Sequence, residues 1–145
     1  MLIGPALLLG GALVSQHGFG LYPCEMCMWQ RWPHAAALVM ASLTLLVHRQ
    51  RRGVLLMLAA LAVLLSGAAG VFHAGVEYGL WESPLACTAV TIGTSGDFLA
   101  DLAAAPVVRC DAAAWTLFGI SLAGYNAIFS ILIGGLSLWW LKRRA

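Results

Sequence analysis

The sequence predicts an all-α protein, a polytopic membrane four-helix bundle with two outward loops. Three observations carry that expectation. Of the 145 residues 61% are hydrophobic and only 10% charged, with a mean hydropathy of +0.88, whereas soluble domains carry about 25% charge. The chain divides into four apolar stretches near the roughly 20 residues that a membrane-spanning helix needs. The few charges gather at the ends of those stretches. Such a composition excludes a water-soluble globular domain, a disordered chain and a nucleic-acid binder of the basic-patch kind. The length suits one domain.

The first span covers about residues 1–16 and carries no charge. It lacks the basic n-region and small-residue cleavage site of a signal peptide, so it reads as a retained and rather short helix that either continues through Phe19 or has lost residues at its start. A first outward loop follows at about 17–27, then a second span at about 28–47. Arg49, Arg51 and Arg52 crowd the short loop at about 48–52, and short loops rich in Arg and Lys stay cytoplasmic. The third span is placed at about 53–76, where Ser66, Gly70 and Ala74 recur every four residues on one face. The outward loop at about 77–114 contains an amphipathic stretch, Asp97 to Ala105, that predicts a short helix before Pro106. That helix lies either in the membrane interface or in solvent. The last span is placed at about 115–141, with Gly119, Ala123 and Ala127 on one face. Small residues at this spacing let helices approach closely, and spans must be helical so that backbone hydrogen bonds close internally. Lys142, Arg143 and Arg144 then mark the inside again. All six acids (Glu25, Glu77, Glu82, Asp97, Asp101 and Asp111) fall on the outward side.

Four cysteines share that side: Cys24, Cys27, Cys87 and Cys110. In a bacterium this is where disulfides persist. Four cysteines allow three connectivities. A Cys87–Cys110 bridge has a structural reading, a staple worth roughly 3 kcal/mol by chain entropy. A C-x-x-C bridge at Cys24–Cys27 encloses too little chain for that, and such motifs are redox-active or bind metal. Zinc fits poorly, because the second cysteine pair lacks short spacing and His17, His34, His48 and His73 are scattered.

Cys27 falls at the N-terminus of the second helix, where the dipole favours a thiolate. Arg31 lies four residues on, one turn deeper on the same face. It either stabilises that thiolate and an anionic acceptor beside it, or snorkels to the interface. Gly18-Phe19-Gly20 lacks the third glycine of a dinucleotide fingerprint, so no nucleotide is expected. A dithiol at the bilayer surface points instead to a lipid-soluble acceptor, a quinone. Tyr22, Trp29, Trp32 and Trp81 are candidate walls for its pocket as well as candidate members of an interfacial aromatic belt. His73 is either a hydrogen-bond donor to a quinone oxygen or a packed histidine.

Taken in order, these features resemble the bacterial disulfide bond formation protein B (DsbB) family of quinone-dependent thiol oxidoreductases, over nearly the whole chain. The resemblance is carried by four spans, Pro23-Cys24-x-x-Cys27, Arg31, and Ser83-Pro84-x-x-Cys87. It continues through Pro106-Val107-Val108-Arg109-Cys110 and Trp115; His73 matches only with a small gap before Cys87. It implies a multi-pass protein of the bacterial inner membrane with its active cysteines facing the periplasm. Cys87–Cys110 would oxidise a DsbA-like thioredoxin-fold partner, Cys87 forming the mixed disulfide. Cys110 would exchange with Cys24, and Cys27 would pass electrons to ubiquinone or menaquinone, with Arg31 and His73 at the cofactor. DsbA is itself a strong oxidant at about −120 mV, a potential that a membrane quinone exceeds. No metal, nucleotide or nucleic acid enters this scheme.

Rival readings are a vitamin K epoxide reductase-like enzyme, an enzyme of the same type serving a dedicated substrate, a metal carrier, and a non-catalytic membrane protein with structural disulfides. In the first of these the quinone-facing C-x-x-C follows the loop cysteines, whereas here it precedes them.

Overall fold

The computed structural model describes residues 1–83, 89–90 and 107–144. Among these residues it is all-helical apart from four two-residue strands. The helices are α1 (Ile3–Phe19), α2 (Glu25–Leu43), α3 (Arg49–Glu77) and α4 (Leu122–Arg144). Strand β1 (Ala89–Val90) pairs antiparallel with β2 (Val107–Val108), and β3 (Thr116–Leu117) with β4 (Ile120–Ser121). Cys87 and the expected loop helix at Asp97–Ala105 lie outside the described residues.

Helix α1 runs through Gln16 and His17 to Phe19, because its stop signal is Gly20 rather than the polar pair. Gly20 takes the left-handed conformation (φ 68°) and returns its N–H to the Ser15 carbonyl, a C-cap that glycine adopts without steric cost. Helix α2 starts at Glu25, three residues before the expected boundary. Its N-cap is Cys24, extended at ψ 174°, whose sulfur accepts from the Cys27 N–H at 3.2 Å. That is the role serine or aspartate usually fills. Pro33 lies inside the helix, so the Trp29 carbonyl has no N–H four residues on to accept from.

Helix α3 begins at Arg49, so the expected basic loop is instead its first turn. It ends in a Schellman motif: the Leu80 N–H reaches the Gly75 carbonyl at 2.8 Å and the Gly79 N–H that of Val76 at 3.0 Å, with Gly79 left-handed at φ 69°. The largest departure concerns residues 115–121, expected as the start of the last span. They form a hairpin, because Phe118 (φ 50°) and Gly119 (φ 78°) both turn left-handed, the signature of a type I′ turn. Tyr78 pins the hairpin: its hydroxyl donates to the Gly119 carbonyl and accepts from the Ser121 N–H, both at 2.9 Å. Ser121 then caps α4 by accepting from the Gly124 N–H at 3.1 Å.

Helix α3 packs most extensively against α4 and α2, while α1 leans on α2. At the α3–α4 crossing a Cβ on Gly70 would stand 3.0 Å from the Ala123 carbonyl and the Ala127 nitrogen. Ser66, Gly70, Ala74, Ala123 and Ala127 are all buried here, while Gly119 is in the hairpin turn and off the helix. The interior is unusually polar, with Gln30, His34, Ser66, His73, Ser121 and Ser130 buried. The outside is apolar, including Leu7, Leu46, Leu65, Leu132 and Leu136. That inversion suits a lipid surround, since large apolar patches are rare on soluble monomers. Helix α3 and the segment Leu122–Arg143 are long and apolar enough to cross a membrane.

Candidate functional site

The site forms where the N-terminus of α2 meets the last turns of α3. Cys24 and Cys27 are reduced, their sulfurs 2.9 Å apart in a hydrogen bond. Donation from the Cys24 S–H holds the Cys27 thiol below its usual range, against the opposing effects of burial and the Glu77 charge; the Cys24 backbone and the Arg31 charge act in the same direction as the donation. The same hydrogen bond, with burial, pushes Cys24 up. The first proton lost therefore leaves Cys27.

Arg31 lies one turn below Cys27. Its guanidinium donates to Gln16 Oε1 and, at 3.1 Å, to the Ala12 carbonyl, so it ties α2 to α1 instead of snorkelling outward. Cys27 and Arg31 share a cavity of about 290 Å³ with His73, Gln30, His34 and Glu77. Its walls are largely apolar, Leu7, Leu8, Tyr125 and Phe129 among them, the mixture expected of a small-molecule site. Of the aromatic residues expected as walls, Tyr22 lines it. Trp29 and Trp32 are instead exposed on the outside of α2, and Trp81 stacks on Phe72 with ring centroids 5.7 Å apart.

His73 comes up from α3, with Nε2 3.5 Å from Cys24 Sγ and Nδ1 2.8 Å from Gln30 Nε2. Cys110, fully buried, belongs to one cluster with Cys24, Met26 and Val76. One loop cysteine thus stands beside the outer member of the C-x-x-C pair. Beyond it, Arg109 and Asp111 form a bidentate ion pair at 2.8 and 2.6 Å, which engages the arginine next to Cys110. Ala89, two positions after Cys87, pairs with Val108, two before Cys110; Cys87 itself lies outside the described residues.

Several site residues carry no local sequence motif. Asn126 on α4 donates to Gln30 Oε1 at 2.8 Å and to the Ser66 carbonyl at 3.2 Å, and its oxygen meets His34 Nε2 at 2.9 Å. Glu77 places Oε1 3.7 Å from His73 Nε2, with its side chain 6% exposed and Oε2 without a hydrogen-bond partner. The signal that could have found Gln30, His34 and Asn126 is their polarity within apolar spans, where such residues face the bundle interior and mark function. Cys24, Cys27 and His73 also bring ligand atoms within 4.8 Å of one another. A metal-bound imidazole almost always donates from its other nitrogen, yet here that nitrogen accepts from Gln30.

The chain was compared with known proteins. The profile of the family described as disulfide bond formation protein DsbB matches residues 1–140. Disulfide bond formation protein B of Verminephrobacter eiseniae is 34% identical over 143 residues, covering 94% of this chain and 79% of its own. The protein of the same description from a Polaromonas species is 29% identical over 150 residues, covering 95% and 84%. A Rickettsia prowazekii protein described as uncharacterized is 27% identical over 129 residues, covering 86% and 74%. No solved structure matches the chain. The profile match takes in the described dithiol, Arg31, His73 and Cys110, and with its apolar helices the chain belongs to the disulfide bond formation protein DsbB family of helical membrane proteins.

Proposed function

We propose that this protein is a quinone-dependent protein-disulfide oxidoreductase of the bacterial inner membrane. It reoxidises a DsbA-like thioredoxin-fold dithiol on the periplasmic side and passes the electrons to ubiquinone or menaquinone. The observation that carries the reading is one cavity: Cys27, Arg31 and His73 line it together, directly beside Cys24 and the buried Cys110. An apolar chamber with a cation and hydrogen-bonding side chains suits a flat apolar ring bearing carbonyl oxygens.

The exchange steps balance as follows. A partner thiolate attacks Cys87 of a Cys87–Cys110 disulfide, releasing the Cys110 thiolate. The partner's second thiolate resolves the mixed disulfide, leaving the partner oxidised and Cys87 and Cys110 reduced. Cys110 then attacks Cys24 of a Cys24–Cys27 disulfide, forming Cys110–Cys24 and expelling Cys27 as a thiolate. Cys87 attacks Cys110, re-forming Cys87–Cys110 and leaving two electrons on the Cys24–Cys27 dithiol. Cys27 is the better leaving group, because the Arg31 charge favours its thiolate while Cys24, held in a disulfide, has no proton to offer, and low-pKa thiolates leave faster. A bound quinone supplies acceptance of two electrons and two protons. Arg31 keeps the Cys27 side of the cavity electropositive, and the leucine walls exclude water.

The test is quinone reduction by purified protein supplied with a reduced thioredoxin-fold dithiol and a short-chain ubiquinone, followed by ultraviolet absorbance. Turnover is expected in the native protein and its loss in Cys27→Ser. Unchanged turnover in that variant sinks the electron-transfer assignment. Disulfides that survive mild reductant point to a structural role, and stoichiometric metal on elemental analysis points to a carrier.

A further inference from the structure

We propose that Gln30, seated by Asn126, is a positioning residue that fixes His73 as the Nε2–H tautomer facing Cys24, so that the Cys24 proton is directed to Cys27. The argument rests on two backbone carbonyls, which can only accept hydrogen bonds. The Ser66 carbonyl lies 3.2 Å from the Asn126 side-chain nitrogen, so that amide turns its N–H groups toward α3 and α2. Its nitrogen then donates to Gln30 Oε1 at 2.8 Å, which makes Oε1 the acceptor. The Met26 carbonyl, 3.2 Å from Gln30 Nε2, imposes the same orientation independently. Gln30 Nε2 therefore donates to His73 Nδ1 at 2.8 Å. A nitrogen that accepts carries no proton, so the ring hydrogen of neutral His73 sits on Nε2.

That hydrogen has Cys24 Sγ at 3.5 Å and Glu77 Oε1 at 3.7 Å as acceptors beside it, and the ring is also hydrogen-bonded to the Cys110 backbone. A bare Nε2 would accept the Cys24 S–H and compete with Cys27 for it. A protonated Nε2 cannot, which leaves Cys27 Sγ, 2.9 Å away, as the acceptor for the Cys24 proton. The donor direction thus runs from α4 through Gln30 and His73 to the dithiol. The other charged or titratable groups lining this cavity with Cys27 are Arg31 and His34 from α2, Glu77 from α3, Tyr125 from α4 and Tyr22 from the connection between α1 and α2. The functional meaning of a directed Cys27 thiolate rests on the reading of Cys27 as electron donor, but the tautomer does not.

The experiment is ¹⁵N NMR of histidine-labelled protein in detergent, with His73 assigned by its loss in His73→Asn. It is paired with the pH dependence of Cys27 alkylation in a background lacking Cys87 and Cys110. Native His73 is expected to show protonated Nε2 and bare Nδ1. Gln30→Met is expected to give mixed tautomers and to move the Cys27 alkylation midpoint to higher pH, with alkylation slowed several-fold at pH values below the native midpoint. Asn126→Leu is expected to act in the same direction and serves where Gln30→Met folds poorly. A native Nδ1–H ring overturns the proposal, as does a variant whose tautomer changes while the Cys27 midpoint stays put. An unchanged tautomer in both variants overturns it too. Failure of quinone reduction with these results intact overturns the proposed function instead.

Discussion

At the scale of single residues the question is what makes Cys27 the thiolate. Two neighbours stabilise the charge: the Cys24 S–H, in hydrogen-bond contact at 2.9 Å, and Arg31, one turn deeper and shared with acceptors on α1. The contact hydrogen bond is the larger influence. A thiol whose pKa is lowered reacts as thiolate from the lowered value upward, so removing a stabiliser moves the onset of reactivity to higher pH. Cys24→Ala is therefore expected to shift the alkylation midpoint of Cys27 upward by about a unit or more, and Arg31→Gln by less. Alkylation rates across pH, with Cys87 and Cys110 replaced by serine, check this. The reverse order would make the arginine the principal determinant. The cysteines and Arg31 were legible in the sequence because spacings of three and four residues on a helix are contacts by geometry. Gln30 and Asn126 are 96 positions apart, and no local periodicity reports a contact made by folding.

At the scale of elements, the existence of the four helices was legible and their ends were not. Apolar runs give length, but ends are set by single residues: Gly20 for α1, Cys24 as an N-cap, Gly79 after α3. The hairpin at residues 116–121 left no polar mark, since its turn is Phe-Gly where Asn-Gly is the usual signal. Packing contrasts among glycines follow from the same close view. A Cβ on Gly70 meets the backbone of α4 at 3.0 Å, and one on Gly53 meets nothing within 4 Å. Backbone cannot yield as a side chain does, so Gly70→Ala is expected to destabilise the bundle by about 1–3 kcal/mol. Gly53→Ala, in the open first turns of α3, is expected to be neutral or to stabilise by up to about 1 kcal/mol through helix propensity. Thermal unfolding in detergent distinguishes the two, and equal effects would mean that the α3–α4 crossing does not govern stability.

At the scale of the whole molecule, the two ends of the bundle differ in chemistry. Cys24 touches His73, so the start of α2 and the end of α3 coincide. A Cβ on Gly134 would meet Leu64 and the Ala60 carbonyl, whereas Asn126 reaches Ser66, so α4 runs back along α3. Arg49, Arg51 and Arg52 therefore share one end with Lys142 and Arg143, while Cys24, Cys27, Glu77 and Cys110 occupy the other. Helix α3 has 29 residues, about 43 Å at 1.5 Å each, against an apolar layer of about 30 Å. Its arginine turn thus extends beyond the hydrocarbon if Glu77 sits near the opposite face. Short basic segments are retained on the cytoplasmic side, and the orientation proposed above accordingly puts the cysteine end outward. In intact cells a membrane-impermeant maleimide is accordingly expected to label Cys27 from outside, in a background lacking the other three cysteines. In a cysteine-free background Arg51→Cys and Arg143→Cys are expected to react only after the membrane is opened. Labelling of both basic ends from outside would invert the orientation. Labelling of just one would mean that α3 and α4 do not cross the bilayer as an antiparallel pair, which would put the dithiol and the basic ends of the bundle out of their proposed relation to the two sides of the membrane.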